Sequence, residues 1–318
     1  MGSGMTDQPT THIQLSSSVV AEAKRLRNTR YALLAPGILT IFCIGIMPLS
    51  IVLVYSFLEP GDFGGISWVL SFDAYVQLLF EEDIFDETLS FTTDYIQIFL
   101  RSVSLALFTT IACLLVGFPT AYFIATQPPA RRNAWLFLIT IPFWTNLLIR
   151  TYAMLLILRD QGVINLSLIE IGLIDSPIPM LYTDFAVCLG LVYAYLPFMV
   201  LPIFASLEKL DFRLVEASYD LYATRFKVLR RIIVPLAKPG IAAGCILVMI
   251  PSLGAFITPA LLGGGKSLML GNLIELQFGQ ARNWPFGSAI ALVLMVLVML
   301  SLISYLRFGA KKGTPAHG

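Results

Sequence analysis

The chain has 318 residues, of which 57% are hydrophobic and only 13% are charged, with 21 basic and 20 acidic side chains and a net charge of +1. This composition excludes a soluble globular protein and gives no reason to expect a nucleic-acid partner. We expect an all-α polytopic protein that lies in a lipid bilayer.

The N-terminal segment, residues 1–30, is predicted to be a cytoplasmic tail. Residues 1–5 are interpreted as a cloning remnant that ends at a second start methionine, Met5. No cleavable signal peptide is expected after them. A weakly amphipathic helix is predicted over residues 19–27. Its basic cluster is expected at the cytoplasmic surface and consists of Lys24, Arg25, Arg27 and Arg30.

Six apolar runs follow, each long enough to cross about 30 Å of hydrocarbon, which takes roughly 20 residues. They cover residues 31–57, 102–125, 134–158, 185–207, 240–262 and 286–306. Together they predict a six-helix transmembrane domain at residues 31–306, with a cytoplasmic tail at 307–318. An even number of spans places both termini on the same side of the membrane.

The distribution of basic residues predicts that this side is the cytoplasm. With the N-terminus inside, sixteen of the 21 Lys and Arg residues fall in cytoplasmic segments. Lys and Arg are strongly enriched in cytoplasmic loops of membrane proteins. The first outer segment, residues 58–101, instead carries nine acidic residues and no basic residue before Arg101. It attracts a cationic solute or a basic patch on a delivery protein, or it reflects only the tolerance of outer loops for acids.

Arg150 is the one charge within a predicted span, and an ionisable residue inside a membrane is a candidate functional residue. Aromatic and polar side chains accompany it and could hold an ammonium group by cation–π contact. These substrate-path candidates are Trp144, Asn146, Tyr152, Tyr193, Tyr195 and Phe256. Two alternatives stay open: Arg150 snorkels or pairs with an outer carboxylate such as Asp184, and the aromatic residues serve only in packing.

The loop at residues 208–239 holds seven basic residues, more than any other part of the chain. Apolar residues at helical spacing predict a short amphipathic helix from an N-cap at Asp211 to about Tyr222. A second helical stretch is predicted at residues 226–234, ending at Pro235. Such a pair of helices forms a projection that another protein can grip, and an ordinary solvated loop is the alternative.

The same loop resembles the EAA loop of ABC-importer permeases, and we refer to residues 208–239 as the EAA loop. The motif positions are Glu216, Ala217, Ser218, Ile232, Val234 and Pro235, with Asp220 and Tyr222 between them. Ser218 replaces the second Ala of the motif and Val234 replaces its Leu, which are mild departures. The resemblance implies that Glu216 fixes the loop, that Ala217 and Ser218 permit close docking of an ATPase, and that Ile232 and Pro235 anchor the exit. Tyr222 stands where the family has Gly, so we expect a strained or reshaped turn.

Four regions extend the resemblance to the permeases of polyamine (spermidine and putrescine) importers. They are Pro142-Phe143-Trp144-Thr145-Asn146 through Arg150-Thr151-Tyr152-Ala153, Tyr193-Ala194-Tyr195-Leu196-Pro197-Phe198-Met199, Leu261-Leu262-Gly263-Gly264 and Trp284-Pro285-Phe286-Gly287. The resemblance implies a type I ABC-importer permease in the bacterial inner membrane. Its implied partners are a second homologous permease, a periplasmic solute-binding protein and two ATPase subunits that bind ATP and Mg.

The chain departs from those permeases at Ala255 and Ala260, where a carboxylate is frequent. An importer for an opine, an amino-acid derivative or another small organic cation therefore stays open, as does a passive channel. No catalytic residue, metal site or cofactor is expected in the chain itself, since both histidines, His12 and His317, lie in the tails. All four cysteines fall within spans and are expected to pack as small apolar residues.

Overall fold

A computed structural model describes residues 17–82, 89–211, 213–265 and 268–310. These residues fall into two compact units, one ending at Val54 and the other beginning at Tyr55. The cloning remnant predicted at residues 1–5 and residues 311–318 of the predicted C-terminal tail lie outside the described residues.

The N-terminal unit is helical throughout its described part. It consists of α1 (Ser17–Ile41), a π-helical turn (Phe42–Ile46) and α2 (Met47–Tyr55), the last of which ends at the first residue of the second unit. Thr29–Tyr55 is long and apolar enough to cross a membrane, as the first apolar run predicts. The π-helical turn ends directly before Met47-Pro48. Its wider hydrogen-bond spacing fits a proline, which lacks an N–H and crowds the carbonyl four residues earlier.

The second unit opens with a segment that contains strands. β1 (Leu58–Pro60) pairs antiparallel with β2 (Ile66–Leu70), α3 (Asp73–Val76) follows, and β3 (Phe80–Glu82) pairs antiparallel with β4 (Leu89–Phe91). An all-helical chain was predicted, so these two ribbons are a correction confined to the acidic segment. Gly64 and Gly65 permit the turn between β1 and β2 because both have positive φ, at 90° and 86°.

The remaining elements are helices. They are α4 (Asp94–Ala125), α5 (Pro129–Trp144), α6 (Leu147–Leu158), α7 (Val163–Glu170), α8 (Asp184–Leu207), α9 (Arg213–Asp220), α10 (Arg225–Val228), a π-helical turn (Leu229–Ile233), α11 (Val234–Leu253), α12 (Ile257–Leu262), α13 (Leu270–Phe278) and α14 (Trp284–Ala310). Within the described ranges, five helical stretches have the length and apolarity of membrane spans, and α14 adds a shorter apolar stretch at Trp284–Leu300.

Helices α4, α8 and α11 form the main core of this unit. Met199 of α8 is fully buried between two glycines, Gly117 of α4 and Gly244 of α11. A Cβ atom at Gly240 would lie 2.4 Å from the carbonyl oxygen of Pro202, and one at Gly244 would lie 2.7 Å from Met199 Sδ. Glycines spaced as in Gly240-x-x-x-Gly244 permit helices to approach closely, and α8 and α11 do so here.

Two predicted spans are interrupted. The run at residues 134–158 is two helices, because Thr145 and Asn146 leave the helical conformation and Asn146 begins α6 by accepting a hydrogen bond at 2.8 Å from the Leu148 N–H. The run at residues 240–262 breaks after Leu253. There the carbonyl of Phe256 accepts a hydrogen bond at 2.7 Å from Asn272 Nδ2. Irregular backbone at membrane depth is tolerated where it packs on protein or lines a cavity.

Candidate functional site: the EAA loop and the region around Arg150

The first arm of the EAA loop is the helix α9. Its start is capped by Asp211, whose Oδ1 accepts a hydrogen bond at 3.0 Å from the Arg213 N–H, so the predicted N-cap is confirmed. Val215 points into the core with 7% exposure, whereas Glu216 and Ala217 are exposed. Ser218 is half-buried, and its hydroxyl donates to the Val215 carbonyl at 2.7 Å. The helix thus presents Glu216 and Ala217 on a surface that another protein can reach.

Helix α9 ends in a Schellman turn built around Tyr222. The Ala223 N–H donates to the Ser218 carbonyl at 3.0 Å and the Tyr222 N–H donates to the Tyr219 carbonyl at 2.9 Å, which is the hydrogen-bond pair of that motif. Tyr222 adopts the left-handed conformation with φ of +57°, the position at which glycine is usual. The strained turn expected at this residue is present. Its ring is 96% exposed, and the neighbouring Leu221 is 81% exposed.

The second arm begins with α10 and does not end at Pro235, so that prediction is wrong. The helix continues from Arg225 to Leu253 through the π-helical turn at Leu229–Ile233. The turn stands directly before Val234-Pro235, and it accommodates the missing N–H in the same way as the turn before Pro48. The helix therefore continues past this proline.

The contacts of this arm differ in part from those that the motif suggests. Between Arg225 and Pro235 the buried residues are Val228 and Ile233, at 1% and 2% exposure. Ile232 is half-buried and packs against the core, whereas Pro235 is exposed. Sequence reasoning missed Val228 and Ile233, although their apolar character at a five-residue spacing fits one face of a helix that contains a π-helical turn.

A cavity of about 630 Å³ lies between the EAA loop and α4. Its walls are Phe118, Pro119, Tyr122, Tyr219, Arg225, Leu229 and Ile233. Because both arms of the loop contribute to its lining, movement of the loop changes the shape of this cavity. Both arms of the loop therefore face α4, one of the three core helices, across this cavity.

Arg150 occupies the first turn of α6. Its guanidinium carbon lies 5.9 Å from the centroid of the Tyr193 ring on α8, within cation–π range. Its Nε and Nη1 atoms are buried and have no hydrogen-bond partner among the described residues. The alternative pairing with Asp184 is wrong, because Asp184, the first residue of α8, forms an ion pair with Arg101.

The other candidates of the substrate path are distributed over the same part of the second unit. The Tyr195 hydroxyl donates to the Pro251 carbonyl at 3.2 Å and so links α8 to α11. Trp144 is 83% exposed, directly before the break that Asn146 caps. Tyr152 and Phe256 are half exposed, at 53% and 45%. The structure brings Arg150 and Tyr193 together and leaves the exposed rings with surfaces open to a partner or solute.

The chemistry of the described residues offers no metal centre. No group of three or more His, Cys, Asp or Glu side chains with suitable geometry occurs among them. The four cysteines are free thiols. Cys113 is fully buried in the core and Cys188 and Cys245 are half-buried, whereas Cys43 is exposed, so the predicted packing role does not hold for Cys43 within this chain.

Comparison with known proteins agrees with this architecture. Residues 114–311 match the family model described as the binding-protein-dependent transport system inner membrane component. The spermidine/putrescine transport system permease protein PotB of Escherichia coli is 42% identical over 261 residues, which cover 82% of this chain and 90% of the relative. PotB of Haemophilus influenzae is 42% identical over 262 residues, covering 82% and 87%. The inner membrane ABC transporter permease protein YdcU of Escherichia coli is 33% identical over 67% and 72%.

Solved structures show the same fold. A chain of a bacterial ABC transporter involved in alginate import has a TM-score of 0.64 at 19% identity and covers 94% of this chain and 100% of that one. A second structure, the alginate transporter in complex with an alginate-bound periplasmic protein, has a TM-score of 0.63 at 20% identity, with 90% and 97% coverage. The chain therefore belongs to the binding-protein-dependent transport system inner membrane component family, as a multi-pass transport permease of ABC importers and not an enzyme.

Proposed function

We propose that this chain is the transmembrane permease subunit of an ATP-driven importer of polyamines such as spermidine and putrescine. The observation that carries the substrate class is the 42% identity to spermidine/putrescine permeases over 82% of the chain. The acidic outer segment supports a cationic solute, because its carboxylates raise the local concentration of cations.

The membrane topology that we propose has six crossings of the bacterial inner membrane with both termini in the cytoplasm. The crossings are α1 to α2, α4, α5 to α6, α8, α10 to α11, and α14. The basic residues of the EAA loop and of the N-terminal tail support this orientation, because Lys and Arg are enriched on the cytoplasmic side.

Energy reaches the chain through the EAA loop. Two ATPase subunits bind ATP and Mg beneath the membrane, and one of them docks on Glu216, Ala217 and the exposed pair Leu221 and Tyr222. A second, homologous permease completes the pore, and a periplasmic binding protein delivers the solute. Closure of the ATPase dimer carries the loop with it and moves α4 and α11, so that the pore alternates between inward and outward access.

Within the pore we propose that the solute passes the aromatic side chains of α6 and α8. Tyr193, Tyr152 and Trp144 offer aromatic faces to ammonium groups, and each such contact is worth about 1 kcal/mol or more in a dry site. A second candidate is import of a solute that carries a carboxylate, such as an opine or an amino-acid derivative. Arg150 favours this candidate because it is a cation. Ala255 also favours it, because this chain has an alanine in the break after Leu253, where polyamine permeases often have a carboxylate.

ATP hydrolysis by the complete complex in lipid nanodiscs distinguishes these candidates. The binding protein is loaded in turn with spermidine, putrescine, an opine and a neutral sugar. Stimulation by polyamines alone is expected, and stimulation only by a carboxylate-bearing solute would overturn the polyamine proposal. The matched control is Glu216→Ala, which we expect to uncouple hydrolysis from the loaded binding protein while the separate ATPase subunits stay active.

A further inference from the structure

The cavity between the EAA loop and α4 combines one basic side chain and two tyrosines with an apolar wall. Arg225, Tyr122 and Tyr219 line it together with apolar side chains that include Phe118 and Ile233. No carboxylate of the described residues lines it, so its charged lining is a single cation. Such a lining suits a ligand that has an anionic end and an apolar end.

The polar side chains of this cavity are accessible to a ligand from outside the chain. Arg225 and Tyr219 are exposed, and Tyr122 is half-buried. None of these three side chains forms an ion pair or a hydrogen bond with another of the residues that the structure describes. A guanidinium and two hydroxyl groups can donate to the oxygens of one phosphate group, which arginine recognises through its planar fork of N–H donors.

Polarity changes with depth in the same direction along both helices that wall the cavity. On α4, Tyr122 lies three residues before the helix end and Phe118 lies one turn deeper. On the other wall, Arg225 begins α10, and Leu229 and Ile233 follow in steps of four residues, each about 6 Å deeper. Both walls belong to stretches that are long and apolar enough to cross a membrane. The polar side chains therefore lie nearer the membrane surface and the apolar ones nearer the hydrocarbon, which is the order of headgroup and acyl chain in a phospholipid.

The charge of the EAA loop favours one class of phospholipid. The loop holds seven basic and four acidic residues, and the proposed topology places it beside the cytoplasmic leaflet. Basic pockets between membrane helices on this side attract anionic headgroups. Phosphatidylglycerol brings a phosphate without an ammonium group, whereas phosphatidylethanolamine would bring a second cation into basic surroundings.

We propose that this cavity binds an anionic phospholipid of the bilayer. Its phosphate is held by Arg225 and by the hydroxyl groups of Tyr122 and Tyr219, and one acyl chain lies against Phe118 and Ile233. The lipid bridges three elements, because Tyr219 lies on the first arm of the EAA loop, Arg225 on the second arm and Tyr122 on α4. A bound lipid thus holds the loop against a membrane span. The inference goes beyond the proposed function and rests on it only for the leaflet.

Lipid retention by the complete complex, measured without solute, tests this site. The complex is purified in mild detergent and titrated with phosphatidylglycerol, and bound lipid is counted by native mass spectrometry. We expect Arg225→Gln to weaken binding of the tightest lipid about tenfold, because a charge-assisted hydrogen bond to phosphate is lost. Tyr122→Phe combined with Tyr219→Phe keeps both rings, and we expect it to weaken binding about fivefold through loss of the hydroxyl groups.

Lys227→Gln is the matched control. Lys227 is also basic and exposed on α10, but it lies about 200° around the helix from Arg225 and does not line the cavity. We expect its lipid binding to stay within about twofold of the unchanged protein. The thermal unfolding midpoint of each variant without added lipid shows that its fold is intact.

Hydrogen exchange of the EAA loop gives a second measurement. We expect residues 213–223 to be better protected in nanodiscs of phosphatidylglycerol than in nanodiscs of phosphatidylcholine, and Arg225→Gln to remove this difference. Equal lipid binding by Arg225→Gln and Lys227→Gln would overturn the proposal. So would a complete complex that retains no lipid, which would leave the cavity to the ATPase or the second permease.

Inorganic phosphate distinguishes a lipid from a free anion as the ligand. We expect it to leave the tightest lipid in place, because it offers nothing to the apolar wall of the cavity. Displacement of the lipid by inorganic phosphate alone would assign the site to a free anion and overturn the proposal. Because no solute is present, these outcomes are independent of whether polyamines stimulate the complex.

Discussion

The left-handed turn at Tyr222 predicts that a glycine at this position stabilises the EAA loop. A non-glycine residue in the left-handed conformation costs about 1–2 kcal/mol, because its Cβ crowds the following backbone. Glycine removes this cost but loses more conformational freedom on folding, by about 0.5–1 kcal/mol. The ring of Tyr222 is 96% exposed and contributes little packing within this chain. Tyr222→Ala removes the ring and keeps the strain, so it is the matched control for Tyr222→Gly.

We expect Tyr222→Gly to exceed Tyr222→Ala in stability by about 0.5–1 kcal/mol, the difference between the two opposing terms. Amide hydrogen exchange of residues 213–223 in nanodiscs measures this difference locally, where a shift of 1 kcal/mol changes protection by about fivefold. Equal protection in the two variants, or weaker protection with glycine, would refute the strain argument. ATPase stimulation gives a second readout: if the ring itself contacts the ATPase, both variants lose coupling equally.

Three further predictions concern packing, capping and a buried amide. Gly244→Leu places a side chain against the backbone of α8 and is expected to cost about 1–3 kcal/mol of stability, whereas Gly254→Ala, with open space around it, leaves the thermal unfolding midpoint unchanged. Asp211→Ala removes the cap of α9 and is expected to lower its protection from hydrogen exchange by about 1 kcal/mol, with Asp211→Asn near the unchanged protein. Asn165→Ala breaks three hydrogen bonds of a fully buried side chain and is expected to cost about 1–3 kcal/mol, measured by thermal unfolding, while the exposed Ser167→Ala has no effect. Equal midpoints within either control pair, or unchanged protection in Asp211→Ala, would contradict the corresponding prediction.

Hydropathy and local motifs predicted much of the architecture. The apolar runs located the long helices α4 and α8 to within a few residues at most ends, apart from the N-terminal end of α4, which extends back to Asp94. Small residues at Gly240 and Gly244 indicated the close approach to α8, and Asp211 indicated the start of α9. These features depend on local chemistry, namely apolarity, the absence of a Cβ and a capping side chain.

The wrong predictions of helix bounds arose where one sequence pattern is compatible with two structures. Pro235 was expected to end a helix, but a π-helical turn before it accommodates the lost hydrogen bond, and hydropathy carries no information on that turn. The break at Asn146 lies inside a run that is apolar on both sides, so hydropathy could not show it, although Asn is a frequent N-cap.

Contacts between side chains that are far apart in the sequence could not be predicted from residue spacing. Asp184 was considered as a partner for Arg150, whereas the fold places it beside Arg101, 83 positions earlier. Asn165, within a glycosylation-like triplet, is fully buried and holds the backbone of Ile178 by two hydrogen bonds at 3.0 and 2.9 Å. Which side chains meet depends on the three-dimensional path of the chain, and periodicity within a segment does not encode it.

Uptake of labelled spermidine into proteoliposomes directly tests whether the complex that contains this chain imports polyamines. The complete complex is reconstituted, ATP is supplied on the side of the ATPase subunits and the binding protein on the other. We expect ATP-dependent accumulation of spermidine that is competed by unlabelled putrescine but not by an opine, and that is lost in Glu216→Ala. Accumulation of an opine but not of spermidine, or spermidine flux that needs no ATP, would contradict it.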